Sequence, residues 1–305
     1  MIARRWWLAG AVLTAALVIA GGLIANQLAT AGAAGLMHPA RRHTGVGAPP
    51  TCENSTFRGD GVDLKGWRCH GSAPRRGTII YLHGVADNRG SSVGVIDRLG
   101  KRGFDVIAYD SRAHGESSGD ICTYGFFEKR DLQRIIDTVQ AGPIALVGTS
   151  LGAAVALQEA ALDSRVTAVV AAETFSDLRT VARERAPFFF TPHIIDRAFQ
   201  LAEQEGHFDI DAVSPEKAAA QIRIPVVLVH GANDIDTSPD HSRRVFVALA
   251  GPKRLILVPG ARHNQSLNAD VWNEVEQWLD DVLTSQEGGQ PVRPYGGASR
   301  AGVRQ

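Results

Sequence analysis

Ile144-Ala145-Leu146-Val147-Gly148-Thr149-Ser150-Leu151-Gly152-Ala153-Ala154-Val155-Ala156-Leu157 is the stretch on which the reading of this chain turns. A short apolar, β-forming run enters G-x-S-x-G and leaves as a helix-forming run. The two glycines let the backbone turn sharply without Cβ clashes, and the serine rides at the tip of the turn. Its hydroxyl then sits at a helix N-terminus, where the positive potential favours developing negative charge.

Outward from this turn the pattern alternates. Thr78–Leu82, Asp105–Tyr109, Ile144–Val147, Val166–Ala171, Val226–His230 and Leu255–Val258 are short, nearly continuous apolar runs, as expected of strands buried on both faces of a parallel sheet. Between them Gly90–Arg102, Phe126–Gln140, Leu151–Leu162, Pro239–Ala250 and Asn268–Leu283 repeat apolar residues at helical spacing. The order predicts an α/β fold with a doubly wound, mostly parallel sheet and functional groups at the C-terminal strand ends. From Ala172 to Ile224 the pattern loosens. Helical stretches at Leu178–Arg185 and Ile194–Gln204 flank Ala186-Pro187-Phe188-Phe189-Phe190-Thr191-Pro192, which predicts a short helical cap. Its phenylalanines either line an acyl or aromatic pocket or glue the cap to the sheet.

A serine nucleophile needs a general base, and the base needs an orienting acid. For this kind of turn the chain order is Ser, acid, His. After Ser150, Val226–His230 runs into Gly231-Ala232-Asn233-Asp234, and Leu255–Val258 runs into Pro259-Gly260-Ala261-Arg262-His263. Asp234 and His263 therefore follow successive strands. Asp236 is the rival acid, and Asp234 is preferred as the nearer to its strand end. An oxyanion also needs backbone donors: the amide of Leu151, directly after the nucleophile, and that of Val85 in His83-Gly84-Val85 after the strand 78–82. The bland readings of the remaining polar residues are that His83 supports the oxyanion loop, His114 orders a Gly-rich turn, His230 is packed, and Asp110 and Arg112 form an ion pair beneath the site.

The chain resembles the α/β-hydrolase superfamily, in particular its single-domain serine-aminopeptidase-like and prolyl-oligopeptidase-like serine hydrolases. The resemblance rests on Tyr81-Leu82-His83-Gly84, Tyr109-Asp110-Ser111-Arg112-Ala113-His114-Gly115-Glu116-Ser117, Gly148-Thr149-Ser150-Leu151-Gly152, His230-Gly231-Ala232-Asn233-Asp234 and Pro259-Gly260-Ala261-Arg262-His263, in order across residues 50–285. It implies Ser150 as nucleophile, His263 as base and Asp234 as its partner, with a small-molecule acyl substrate and no metal or organic cofactor. The expected activity is hydrolysis of an ester, thioester or amide, carboxylesterase- or lipase-like. A membrane-anchored serine peptidase is the alternative, and a catalytically silent, membrane-tethered binding module the third reading.

Upstream, Thr51–Arg58 and Val62–His70 flank Gly59-Asp60-Gly61. Asp-Gly predicts a type I′ hairpin pairing Gly59 with Val62, so paired residue numbers sum to 121, which sets Cys52 opposite Cys69. A disulfide between them is the expectation in an oxidising compartment, two free core thiols the alternative, and Cys122 is left unpaired. The hairpin adds antiparallel strands at one sheet edge.

The N-terminus carries a membrane signal. No residue between Arg5 and Arg41 is charged, and Trp6–Ala25 is mostly Ala, Val, Leu and Ile. A helix of that length spans the roughly 30 Å hydrocarbon core of a bilayer. Arg4 and Arg5 favour a cytoplasmic N-terminus, and the catalytic domain is then outside the cytoplasm, single-pass. Ala29-Thr30-Ala31 also reads as a signal-peptidase site, which would release a secreted domain, and Arg4-Arg5-Trp6-Trp7-Leu8 resembles a twin-arginine export signal. The expected organisation is an anchor or signal peptide over 1–30, a linker over 31–50, the hydrolase domain over 51–285 with its cap at about 173–224, and a disordered tail over 286–305.

Composition sets the outer bounds. With 305 residues, 44% apolar and 21% charged, the chain can bury a real core and is neither disordered, collagenous nor a multi-span membrane protein. Equal totals of 32 basic and 32 acidic residues give no electrostatic case for a nucleic-acid partner. Three cysteines without CxxC or Cys/His spacing do not suggest zinc.

Overall fold

The computed structural model describes residues 2–287. Eight strands form one sheet in the order β1-β2-β4-β3-β5-β6-β7-β8. These are β1 (Cys52–Arg58), β2 (Asp63–Cys69), β3 (Gly77–Leu82), β4 (Phe104–Tyr109), β5 (Ile144–Thr149), β6 (Val166–Ala172), β7 (Val226–Gly231) and β8 (Lys253–Val258). From β4 through β8 every neighbouring pair is parallel, and the β1–β2 hairpin joins antiparallel at the β4 edge. The expected α/β-hydrolase fold is what the chain adopts.

Alternation along each strand divides the core into two faces. On β3, Ile80 and Leu82 face one layer with α3 (Glu128–Ile136), α4 (Leu151–Ala160) and α8 (Pro239–Ala248). Ile79 and Tyr81 face the other, with α2 (Val93–Gly100) and α9 (Ala269–Glu287). The helix α3 is shorter than its apolar pattern. Its first residue, Glu128, turns back to accept the amides of Thr123 and Gly125, each at 2.7 Å, which fixes the start. The cap comprises α5 (Leu178–Glu184), α6 (Pro192–Gly206) and α7 (Pro215–Ala219). Of its three phenylalanines, Phe188 is fully exposed and so does not serve as glue.

The hairpin register pairs Cys52 with Cys69, and the two sulfurs are bonded. Cys122 is free and buried. The turn differs from the type I′ geometry that Asp-Gly predicts, because of its two central residues only Gly61 takes positive φ, at 76°. The Asp60 amide is held instead by Asp131 Oδ1 at 2.7 Å, while Gly59 N–H still closes on Val62 O at 2.8 Å, so the register is the same. The expected Asp110–Arg112 pair does not form. Asp110 takes the Arg89 guanidinium and the amides of Arg89 and Glu116. Arg112 forks onto both oxygens of Asp131, at 2.7 and 2.8 Å. Planar Arg satisfies a buried carboxylate best in this bidentate way.

The first helix, α1 (Ile2–Met37), runs seven residues into the stretch read as a linker. Its Ala29, Ala33 and Met37 are buried at helical spacing on the cap, beside Phe199, Ala202 and Ile194. A Cβ at Gly32 would lie 2.9 Å from the Phe190 ring and 3.2 Å from Ala198 Cβ of α6, so glycine is what allows the close approach. Ala and Gly offer no polar stop signal, hence the underestimated length. After Met37 the chain stays tied down, with His38 Nδ1 bonded to Asp120 O at 2.8 Å and Arg41 to Ser117 O at 2.6 Å. The expected tail lies outside the described residues from 288 onward; residues 286 and 287 are the last of α9.

Replacing Cys52 and Cys69 together by serine is expected to lower stability by about 3 kcal/mol through the lost loop constraint. Calorimetry should read a fall in Tm of roughly 6–12 °C. An unchanged Tm contradicts a bonded pair.

Candidate active site

The site lies at the C-terminal ends of β3, β5, β6, β7 and β8. Ser150, between β5 and α4, has φ 50° and ψ −111°, a strained conformation for a residue with a side chain. Two close approaches impose it. A Cβ at Gly148 would meet the Gly152 carbonyl at 2.4 Å, and one at Gly152 would meet Leu82 O at 2.2 Å. The Ser150 amide donates to Ala172 O of β6 at 2.8 Å, which ties the turn to the sheet.

His263, on the loop after β8, stands between two of the residues singled out in the sequence. Its Nε2 is 3.1 Å from Ser150 Oγ and its Nδ1 is 2.6 Å from Asp234 Oδ2. An ionised carboxylate only accepts, so Nδ1 carries the proton and Nε2 is free to accept from the serine hydroxyl. Asp234 Oδ1 accepts the amides of Asp236 and Thr237, both at 2.9 Å. Burial works against its charge, yet hydrogen bonds from His230, His263 and the Thr237 amide prevail and hold its pKa well below the usual carboxylate range. The Asp236 side chain is exposed, and its carbonyl takes the Arg185 Nε at 2.7 Å.

Supporting groups surround these three. His230 is buried with Nε2 3.2 Å from Asp234 Oδ2 and Nδ1 2.6 Å from Ser242 Oγ, so it does more than pack: it steadies the acid. His83 accepts the Ser111 amide on Nε2 at 2.9 Å, which puts its proton on Nδ1, facing Gly84 O at 2.7 Å. Burial lowers the His83 pKa and keeps the ring neutral. Because a peptide unit is planar and trans, pinning the Gly84 carbonyl also fixes the direction of the Val85 N–H. Val85 lines the cleft with Ser150 and His263, and Leu151 supplies a first-turn amide that no intrahelical acceptor serves. His114 bonds the Arg112 carbonyl at 2.8 Å, and burial, then the nearby His83, lower its pKa to about 4.

Glu173 escaped the sequence reading. It directly follows β6, has φ 57°, and accepts the amides of Asn264 at 2.5 Å and Ser266 at 3.1 Å. It thereby holds the loop that carries His263, from a carboxylate oxygen 3.7 Å from His263 Nδ1. The available signal was a lone acid after an apolar strand. Glu173, Asp234 and His263 come close enough to contact one ion, but their oxygens and Nδ1 are already engaged with one another's loops.

A second Ser–His contact joins Ser176 Oγ to His241 Nδ1 at 2.9 Å, with His241 Nε2 2.8 Å from Glu184. Both residues are wholly buried, the same Nδ1 accepts the Ser176 amide at 3.1 Å, and Ser176 Oγ also donates to Asp177 Oδ2 at 2.9 Å. The cleft of about 570 Å³ is lined instead by Ser150 and His263, with Gly84, Val85 and Asp236.

Residues 77–201 match the family described as alpha/beta hydrolase fold, and residues 200–291 that described as PhoPQ-activated pathogenicity-related protein. The chain is 29% identical to YfhR of Escherichia coli (strain K12) over 241 residues, 74% of this chain and 78% of that protein. It is 29% identical to YqkD of Bacillus subtilis (strain 168) over 245 residues, with the same coverage. Among solved structures, the esterase Pf2001 of Pyrococcus furiosus aligns with a TM-score of 0.66 at 22% identity, covering 81% of this chain and 99% of that one. The acylaminoacyl peptidase of Pyrococcus horikoshii aligns at 0.61 and 12% identity, covering 76% and 42%.

The depressed pKa of Asp234 fixes a pH dependence. Its charge contributes stability that is fully present above the unfolded carboxyl pKa of about 3.9 and is lost as pH falls toward the folded value. The Tm deficit of Asp234→Asn is therefore expected to be greatest above pH 4 and to narrow below it. A deficit that grows on acidification contradicts the assignment.

Proposed function

We propose that this chain, a member of the α/β-hydrolase superfamily, is a serine hydrolase that cleaves an ester-, thioester- or amide-type carbonyl through an acyl-enzyme on Ser150. The observation that carries the reading is the imidazole of His263, with one ring nitrogen on Ser150 Oγ and the other on Asp234. Ser150 attacks the carbonyl carbon as His263 Nε2 takes its proton. Asp234 stays ionised and stabilises the imidazolium that forms. The Val85 and Leu151 amides hold the oxyanion, the imidazolium protonates the leaving group, and His263 then activates water to free the acid. Esters are favoured over amides because an ester carbonyl lacks the resonance stabilisation of an amide; the rim of the cleft adds Arg42, Asp87 and Asp236 around Ser150 and His263.

The same reading makes α1 a retained anchor with the catalytic domain on the non-cytoplasmic side. Gly10–Met37 has a mean hydropathy of 1.8, and Trp7, Leu17 and Ile24 are 81%, 65% and 62% exposed, apolar surface that water does not favour. Cleavage after Ala31 would separate Ala29 from Ala33, both buried against the cap, which favours retention over secretion.

A fluorophosphonate probe is expected to label the wild type stoichiometrically, to fail on Ser150→Ala and to label Ser176→Ala as it does the wild type. His263→Ala is expected to lower kcat/KM for p-nitrophenyl butyrate on the order of 10⁴-fold. Labelling that persists in Ser150→Ala contradicts the reading, and faster turnover of aminoacyl anilides than of esters contradicts the preference for esters.

A further inference from the structure

Beside the catalytic cleft lies a second cavity, also about 570 Å³, within the range of small-molecule sites. Its walls are almost wholly apolar. Leu28, Gly32 and Leu36 of α1 form one side, and Val181 and Ala182 of α5 with Phe190 form the other. Apart from Tyr124 the polar lining residue is Arg185, the one charged side chain there, and it lines the catalytic cleft as well. Its guanidinium is tied down on the cleft side, to Asp236 O and Thr237 Oγ1, which leaves its methylene stem as the partition between the two spaces. The spaces are thus adjacent, one side chain apart: one polar with the serine, the other apolar without any catalytic group.

The position of the apolar cavity relative to a membrane follows from the helix that walls it. From Gly10 to Ile24 α1 is bare and, Thr14 aside, apolar, and the cavity begins at Leu28, about one turn further on. Phe188, at the tip between α5 and α6, is 99% exposed, and its neighbour Phe190 touches α1 at Gly32. The cavity, lined by Leu28, Phe189 and Phe190, therefore lies beside both the exposed aromatic tip and the exit of the apolar helix. An apolar space so placed is filled most favourably by hydrocarbon.

We propose that this cavity holds the long acyl chain of a lipid carboxylic ester drawn from the leaflet that α1 enters, with the ester carbonyl reaching Ser150 past Arg185. The inference rests on the serine-hydrolase reading above and narrows it to one substrate class. In the overall reaction the acyl C–O bond breaks, water supplies the hydroxyl of the fatty acid, and the alcohol leaves with a proton. Each buried methylene should favour binding by roughly fourfold until the cavity is full.

The test uses the full chain in detergent micelles or nanodiscs. For p-nitrophenyl esters, kcat/KM is expected to rise at least tenfold from butyrate to dodecanoate. Ala182→Trp, which projects an indole into the cavity, should lower the dodecanoate-to-butyrate ratio at least tenfold. Gly35→Phe, at a lining position where an added Cβ meets open space, is the second filling variant should the first not fold. Independently of turnover, Ser150→Ala should bind 11-(dansylamino)undecanoic acid saturably, and the filling substitutions should abolish that binding. A flat chain-length profile with intact butyrate hydrolysis and no dansyl-acid binding overturns the acyl site and leaves the hydrolase reading standing. Dansyl-acid binding by a wild type that takes no fluorophosphonate label and turns over no ester, thioester or amide supports the acyl site and overturns the hydrolase reading instead. A dimer that excludes the dansyl acid assigns the cavity to a second copy of α1 and overturns the proposal.

Discussion

The backbone at Ser150 is the constraint from which the rest of the site follows. A residue with a side chain sits at φ 50° because Gly148 and Gly152 bring strand, turn and helix closer than any Cβ allows. That conformation costs on the order of 1–3 kcal/mol, and the six-stranded parallel stretch with its two helical layers holds it. What it gains is position. The hydroxyl stands clear of the sheet, at the first turn of α4, within reach of a loop that begins three strands away.

Around that point the protein controls which groups are charged. Asp234 is buried but stays ionised because two imidazoles and backbone amides converge on it. His83 is buried and stays neutral, and a neutral ring with Nδ1 protonated is what orients the Gly84–Val85 peptide. Glu173 spends both oxygens on the loop of His263. Beneath the cleft, Arg89–Asp110 and Arg112–Asp131 pin the connection from β4 to α3, and removing one partner of such a pair would strand a buried charge.

Much of this was legible because local rules and global fold agree. The apolar runs are strands since a parallel sheet covered on both faces needs them, and Ser150, Asp234 and His263 could be ordered by the strands they follow. The Cys52–Cys69 register came from counting across a two-residue turn. What escaped depends on contacts between distant segments. Glu173 has meaning only once β6 ends beside the loop after β8. Asp110 meets Arg89 rather than Arg112 because the amide and guanidinium of Arg89 converge on it from twenty-one residues upstream, while Asp131 takes the Arg112 fork. Asp60 avoids positive φ because Asp131, seventy-one residues later, captures its amide. The extent of α1 was hidden by a run of small residues whose partner, α6, lies more than 150 residues downstream.

The proposed hydrolysis depends on chemistry at one hydroxyl. Its most direct test is rapid-mixing mass spectrometry of the intact protein with p-nitrophenyl butyrate, followed by digestion. A burst of about one p-nitrophenol per chain is expected, with the butyryl mass on the peptide containing Ser150. Steady turnover with no acylated peptide, or the butyryl group on Ser176, would contradict it.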